Sequence, residues 1–303
     1  MRISALALLF AAWSAGTALA ADLTAKKDAP PAPVASTDGF DYAFGAKIQS
    51  DYISRGITQT NHQPGVTAYF EGRYNLGDTQ LYLGIQPWSV RLPTNPAAEV
   101  DLYGGVRQTW GALTVDAGAI YYAYPNNTRQ FFVNGAGATQ LFPGAGFVPT
   151  TARNPSYYEV YVKPTYTINE MFTVGANAYY SSNWTNVKAD EYYLSATAKV
   201  SLPQNFSVSG ELGYQHLGTS SAAFGPTKYK SYTTWNVGVS YAYKVATLDL
   251  RYYGTNLSKA NCYINGSDPK GNVIGAVASL RSNWCDQRFM ASLSFDLTSK
   301  DLK

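Results

Sequence analysis

Charge, histidine and cysteine are all scarce in this 303-residue chain. Asp, Glu, Lys and Arg make up 14% of it, and 23 basic against 20 acidic residues leave a formal net charge of +3. So even a balance, with no basic cluster, lacks the electrostatic footprint a polyanion requires and excludes nucleic acid as a partner. The two histidines, His62 and His216, and the two cysteines, Cys262 and Cys285, form no C-x-x-C or comparable spacing, so neither a metal nor a cofactor is expected. Beyond the first stretch of the chain, no apolar run reaches the ~18 positions that mark a spanning helix. Helical periodicity is nowhere sustained, so insertion into a membrane would have to use strands.

The first stretch has its own pattern. Arg2 is followed by the apolar run from Ala5 to Trp13 and then by Ala18-Leu19-Ala20. A positive start, a short apolar middle and an A-x-A end read as a secretory signal peptide over 1–20. The proline-containing segment 21–39 reads as a disordered periplasmic tether. After export, Cys262 and Cys285 fall in one predicted loop of an oxidising compartment and are expected to pair, which contributes about 3 kcal/mol in the chain-entropy model.

What is abundant is two-residue alternation and tyrosine. In Val100-Asp-Leu-Tyr-Gly-Gly-Val-Arg107, one face takes Val100, Leu102 and Val106 and the other takes Asp101, Tyr103 and Arg107. Such alternation recurs in twelve segments: 41–53, 65–75, 79–91, 99–109, 112–123, 156–167, 172–182, 191–201, 206–217, 231–243, 246–256 and 286–297. Short turns, such as Asn75–Asp78 and Trp110-Gly111, alternate with mostly long connections, the longest at 124–155 and 257–285. Aromatics are 15% of the chain, with 25 Tyr. Rings near the segment ends, including Tyr42, Tyr52, Tyr74, Phe206 and Tyr243, are what two interfacial girdles need. The expected fold is all-β, a transmembrane antiparallel up-and-down barrel of about 12 strands over 40–297, with short periplasmic turns, long extracellular loops and a C-terminal tail at 298–303.

The stretches Ser50–Asn75 (SDYISRGITQTNHQPGVTAYFEGRYN), Leu81–Val90 (LYLGIQPWSV) and Ala98–Trp110 (AEVDLYGGVRQTW) resemble the TorF-type porin family of proteobacterial outer-membrane proteins. The resemblance runs from about residue 40 to the end, with the 124–155 and 257–285 loops as additions. It implies an outer-membrane barrel with a pore role. Its partners would be outer-membrane lipid and lipopolysaccharide, small hydrophilic solutes and, during insertion, the barrel-assembly machinery. Outer-membrane proteins usually end on an aromatic residue. Here Thr298–Lys303 follows Phe295 and Leu297, so an assembly signal would have to be read internally.

Phasing each segment by its apolar face turns Lys47, Asp51, Glu71, Arg73, Asp101, Arg107, Asp116, Glu159, Lys163, Lys199, Glu211, Asp249, Arg251 and Arg288 inward as the predicted pore lining. A charge on the lipid face would cost about 2 to 4 kcal/mol per Arg or Lys at mid-bilayer. Seven are basic and seven acidic, so the lining is expected to be near neutral. Either it tunes ion passage or it is a set of structural ion pairs filling a narrow barrel. Arg55 joins this list, and its spacing from Asp51 suggests a rim ion pair fixing the first loop or, alternatively, a constriction. The functional expectation is passive diffusion of small hydrophilic solutes. A structural or adhesive barrel with a closed lumen is one alternative. The other is a lipid-modifying enzyme using His216 with Ser220 or Ser221, which the spacing does not favour because neither a base within reach nor an orienting group is assured.

Overall fold

The computed structural model describes residues 39–126, 132–133, 139–140, 154–221, 227–266, 268 and 281–302. The expected signal peptide, nearly all of the tether and much of the 124–155 and 257–285 loops lie outside the described residues. In chain order the strands are β1 (Gly39–Gln49), β2 (Ile53–Ser54), β3 (Ile57–Thr58), β4 (Gly65–Leu76), β5 (Thr79–Trp88), β6 (Glu99–Trp110), β7 (Leu113–Ala123), β8 (Phe132–Val133) and β9 (Thr139–Gln140). They continue as β10 (Tyr157–Thr167), β11 (Phe172–Trp184), β12 (Ala189–Ser201), β13 (Phe206–Leu217), β14 (Tyr232–Tyr243) and β15 (Ala246–Thr255), then the helix α1 (Lys259–Gly266) and β16 (Arg288–Thr298). β2–β3 and β8–β9 are small hairpins. The other twelve strands close one barrel, each antiparallel to its neighbours, with β1 against β16 sealing the seam.

The wall is polar inside and apolar outside. On β6, Asp101 is wholly buried while Leu102 is 46% exposed; on β4, Glu71 and Arg73 alternate with the exposed rings of Phe70 and Tyr74. Around the waist the outward residues are aliphatic, among them Leu83, Leu212, Val237 and Leu250. Toward the ends they are rings: Phe40, Trp110, Tyr166 and Tyr243 near the short turns, and Tyr121, Tyr158, Tyr180 and Phe289 near the long loops. An aliphatic band between two aromatic girdles is the outer surface a bilayer requires. One ring assigned to the girdles belongs elsewhere: Tyr52 is buried inside, stacked on Trp88 at 4.2 Å.

Five connections of four residues or fewer between barrel strands lie at the end where β1 starts; a sixth, 185–188 between β11 and β12, lies at the opposite end, where a longer connection over 183–190 was expected. Gly77 and Gly111 take positive φ in two of the five, as hairpin turns demand. The strands match the expected segments within a few residues except the first, which stops at Gln49 instead of 53. There the chain leaves the wall because Asp51 collects the hydroxyls of Thr58 and Thr60, folding the following residues back on themselves.

Tyrosine also fills the lumen. Tyr82, Tyr103, Tyr161, Tyr179 and Tyr193 form one cluster, each no more than 5% exposed. All but Tyr179 lie against inward glycines of adjacent strands. A Cβ on Gly84 would overlap the Tyr103 ring, and one on Gly213 the Tyr193 ring. The wall has dispensed with side chains where rings lie flat on it.

Candidate functional site

Between β1 and β4 the chain does not arch away from the barrel but drops into its mouth. The β2–β3 hairpin turns at Arg55 and Gly56, both at positive φ, and a Cβ on Gly56 would strike the side chains of Thr234 and Thr255. A non-glycine residue at positive φ is strained and is retained where its surroundings fix it. Here they do. Arg55 Nη2 donates to Glu159 at 2.8 Å, and Nη1 to Gln215 at 3.0 Å and Glu191 at 3.3 Å. The guanidinium also lies over the rings of Tyr193 and Tyr179, at 4.8 and 5.1 Å from their centroids. Tyr122 donates to Glu159, Gln215 to Glu191, and Tyr232 to the Arg55 carbonyl. Burial works against the Arg55 charge, but Glu159 and Glu191 more than offset it and hold the group well above its usual range.

The expected Asp51–Arg55 rim pair is therefore not formed. An inward-turning hairpin separates the two side chains that an i, i+4 count brings together. Asp51 stays at the base of the hairpin, paired with Arg288 at 2.9 Å and facing His62 at 3.4 Å. Burial raises the Asp51 carboxyl above the ordinary carboxylate range, only partly opposed by hydrogen bonds from Thr58 and Thr60 and by Arg288. The last loop clamps the hairpin from above. Cys262 and Cys285 are joined by a disulfide; beside it, the Trp284 carbonyl accepts from the Thr58 amide and the Trp284 indole donates to Asn61.

Below the hairpin, the predicted lining residues form two networks on opposite walls. On one, Arg107 bridges both oxygens of Glu71 (2.8 and 3.0 Å), contacts Gln80 and Asp116, and stacks 3.8 Å over Tyr82. Arg73 pairs with Glu71 and Lys163 with Asp116. On the other, Arg251 holds Asp249, Asn236 and Ser209, while Glu211 accepts from Asn236 and Tyr193. Asp101 accepts from Trp88, over which Lys47 sits, and Lys199 lies half-buried near the short-turn end. Thirteen of the fifteen predicted residues lie on barrel strands, ten of them buried; Asp51 and Arg55 lie off the wall, at the base and the tip of the hairpin.

Three more buried carboxylates share that phase and were missed: Glu99, Glu191 and Asp296. The alternation that gives Asp101 and Lys199 also gives Glu99 and Glu191, so the signal was present. With them, Arg55, and Asp41 opposite Arg73, eight basic and eleven acidic groups face inward among the described residues, so the expected even count does not hold.

Above Arg55 the mouth opens into a vestibule. Its sides are rings, including Tyr52, Tyr122, Tyr157, Trp184 and Trp284, and Arg55, Glu191 and Gln215 line it too. Outside the barrel, His216 stacks on Tyr192 and meets Ser231 at 3.2 Å. It does not meet the two serines first considered; Ser220 bonds to Thr227. Asp190 is 3.9 Å from the other His216 nitrogen, too far to orient it by a hydrogen bond.

A closed barrel, apolar outside and charged inside, is a membrane-type β-barrel, here with a hairpin folded into its mouth. The chain belongs to the Gcw_chp family, described as bacterial proteins of unknown function, whose pattern matches residues 34–273. No curated protein matches the chain. Among solved structures it is similar to an outer-membrane channel from Pseudomonas putida F1, at 10% identity over 89% of this chain and 99% of that one, with a TM-score of 0.47. It is also similar to the NanC porin, at 10% identity over 86% and 100% with a TM-score of 0.45, and to the KdgM porin, at 7% over 84% and 98% with 0.43. At TM-scores below 0.5 these likenesses carry no function across.

Proposed function

We propose that the chain is a bacterial outer-membrane channel for small hydrophilic solutes, closed at rest by the Arg55 hairpin. The carrying observation is that the floor of the vestibule is a side chain delivered by a loop and not by the wall. A barrel that served only as a scaffold could be filled by wall residues alone; a hairpin can be withdrawn while the barrel stays intact. The TorF-type resemblance of Ser50–Asn75 points the same way, and that segment contains the plug itself. In this reading the short turns face the periplasm, the vestibule opens to the exterior, and the outward band meets lipid and, in the outer leaflet, lipopolysaccharide.

The competing reading is a structural barrel with a permanently closed lumen, and the burial of the tyrosine cluster favours it. Conductance separates the two. The refolded full chain in planar bilayers should show rare, brief current steps, and Arg55→Ala should show frequent ones. Silence from both proteins would leave the structural barrel.

A further inference from the structure

We infer that the cradle around Arg55 is a recognition site for solutes carrying a guanidinium or amidinium group, with Arg55 as its resident internal occupant. This rests on the channel reading, which brings the solute to the vestibule floor. The class of ligand follows from how the occupant is held. Glu159, Glu191 and Gln215 receive a planar fork of donors edge-on at 2.8 to 3.3 Å, and Tyr179 and Tyr193 take its face. Edge recognition by carboxylates combined with ring contact is what a guanidinium uses and a compact ammonium does not.

Two observations indicate that the cradle accepts an outside ligand. Glu159 and Glu191, both fully buried and hydrogen-bonded to each other, belong to the wall, whereas the guanidinium between them is delivered by a loop and can leave with the cradle intact. Arg55, Glu191 and Gln215 all line the vestibule, and the Arg55 side chain keeps 12% exposure, so a solute entering the mouth meets the occupant of the cradle first. A neutral or anionic solute displacing Arg55 would leave buried carboxylates unpaired, whereas a guanidinium replaces the lost cation. Exchange needs only the β2–β3 turn to withdraw. The entering solute would thus release the plug that blocks it.

The test is calorimetric titration of Arg55→Ala in detergent with millimolar methylguanidinium chloride, using isosteric methylurea and sodium chloride as controls. Saturable binding is expected for methylguanidinium alone, at least tenfold tighter than to the unaltered protein, where Arg55 competes. It should be lost in Arg55→Ala with Glu191→Gln. Equal affinity in the unaltered and Arg55→Ala proteins, or an equal response to methylurea, would overturn the site. A second measurement needs no variant. In the unaltered protein, amide exchange across 53–58 should accelerate in methylguanidinium and not in methylurea, and equal exchange in both would also overturn it. Conductance of the same preparations tells the two readings apart: current without binding removes this site alone, and binding without current removes the channel reading.

Discussion

Replacing Arg55 by alanine removes the one cation between Glu159 and Glu191, both wholly buried. Removing one partner of a buried ion pair costs about 3 to 5 kcal/mol, mostly from the charge left behind. Because the Arg55 side chain retains 12% exposure on the vestibule side, water can partly solvate the orphaned carboxylates and the lower figure applies. The loss falls on the plugged state, since a withdrawn hairpin has already given up these contacts. About 3 kcal/mol is roughly two decades in the plugged-to-open ratio. Single-channel recording reads this as open occupancy, which should rise by about a hundredfold or until it saturates, with the unitary current unchanged in ion preference. An occupancy within twofold of the unaltered protein would refute the assignment of Arg55 as the latch.

Reducing the Cys262–Cys285 bond frees Trp284 from its clamp on Thr58 and Asn61, and open occupancy should rise in reductant; no change would make the last loop a bystander. Gly213→Ala drives a methyl group into the Tyr193 ring and should cost about 1 to 3 kcal/mol, read as a lower midpoint for heat-induced unfolding of the barrel on unboiled gels. The raised Asp51 carboxyl means the folded hairpin takes up a proton at higher pH than the unfolded chain does. That contribution is complete below the ordinary carboxylate pKa of about 3.9 and is lost as pH rises through the folded value. Hydrogen exchange near Tyr52 and Thr60, corrected for intrinsic rates, should slow as pH falls through that window; the same slope in Asp51→Asn would assign it to another group.

The wall was legible because its rule is local. Each strand repeats inward and outward every second residue, so Asp101 and Leu102 declare their faces without knowledge of any partner. The same rule applies to thirteen of the fourteen phased charges; Asp51 lies past the end of β1. The plug was not legible. Arg55 finds Glu159, Glu191 and Gln215 more than a hundred positions away, and its pairing with Asp51 looked natural only if the first strand continued past Gln49. Nor does strand count set the bore. The Tyr103 ring over Gly84 and the Tyr193 ring over Gly213 narrow this lumen through cross-strand contacts that composition records merely as many tyrosines and glycines.

The most direct test of a loop-gated path uses Ser195, which faces the lumen on β12 below the cradle, bonded to Asn177 at 2.6 Å. Because Cys262 and Cys285 are bonded to each other, Ser195→Cys supplies a free thiol without background from either. Its labelling rate by a small methanethiosulfonate ammonium reagent is measured in proteoliposomes, with and without Arg55→Ala. The expected result is slow modification in the single variant and at least tenfold faster modification once Arg55 is removed. Equal rates in the two proteins would contradict the claim that Arg55 governs entry to the lumen.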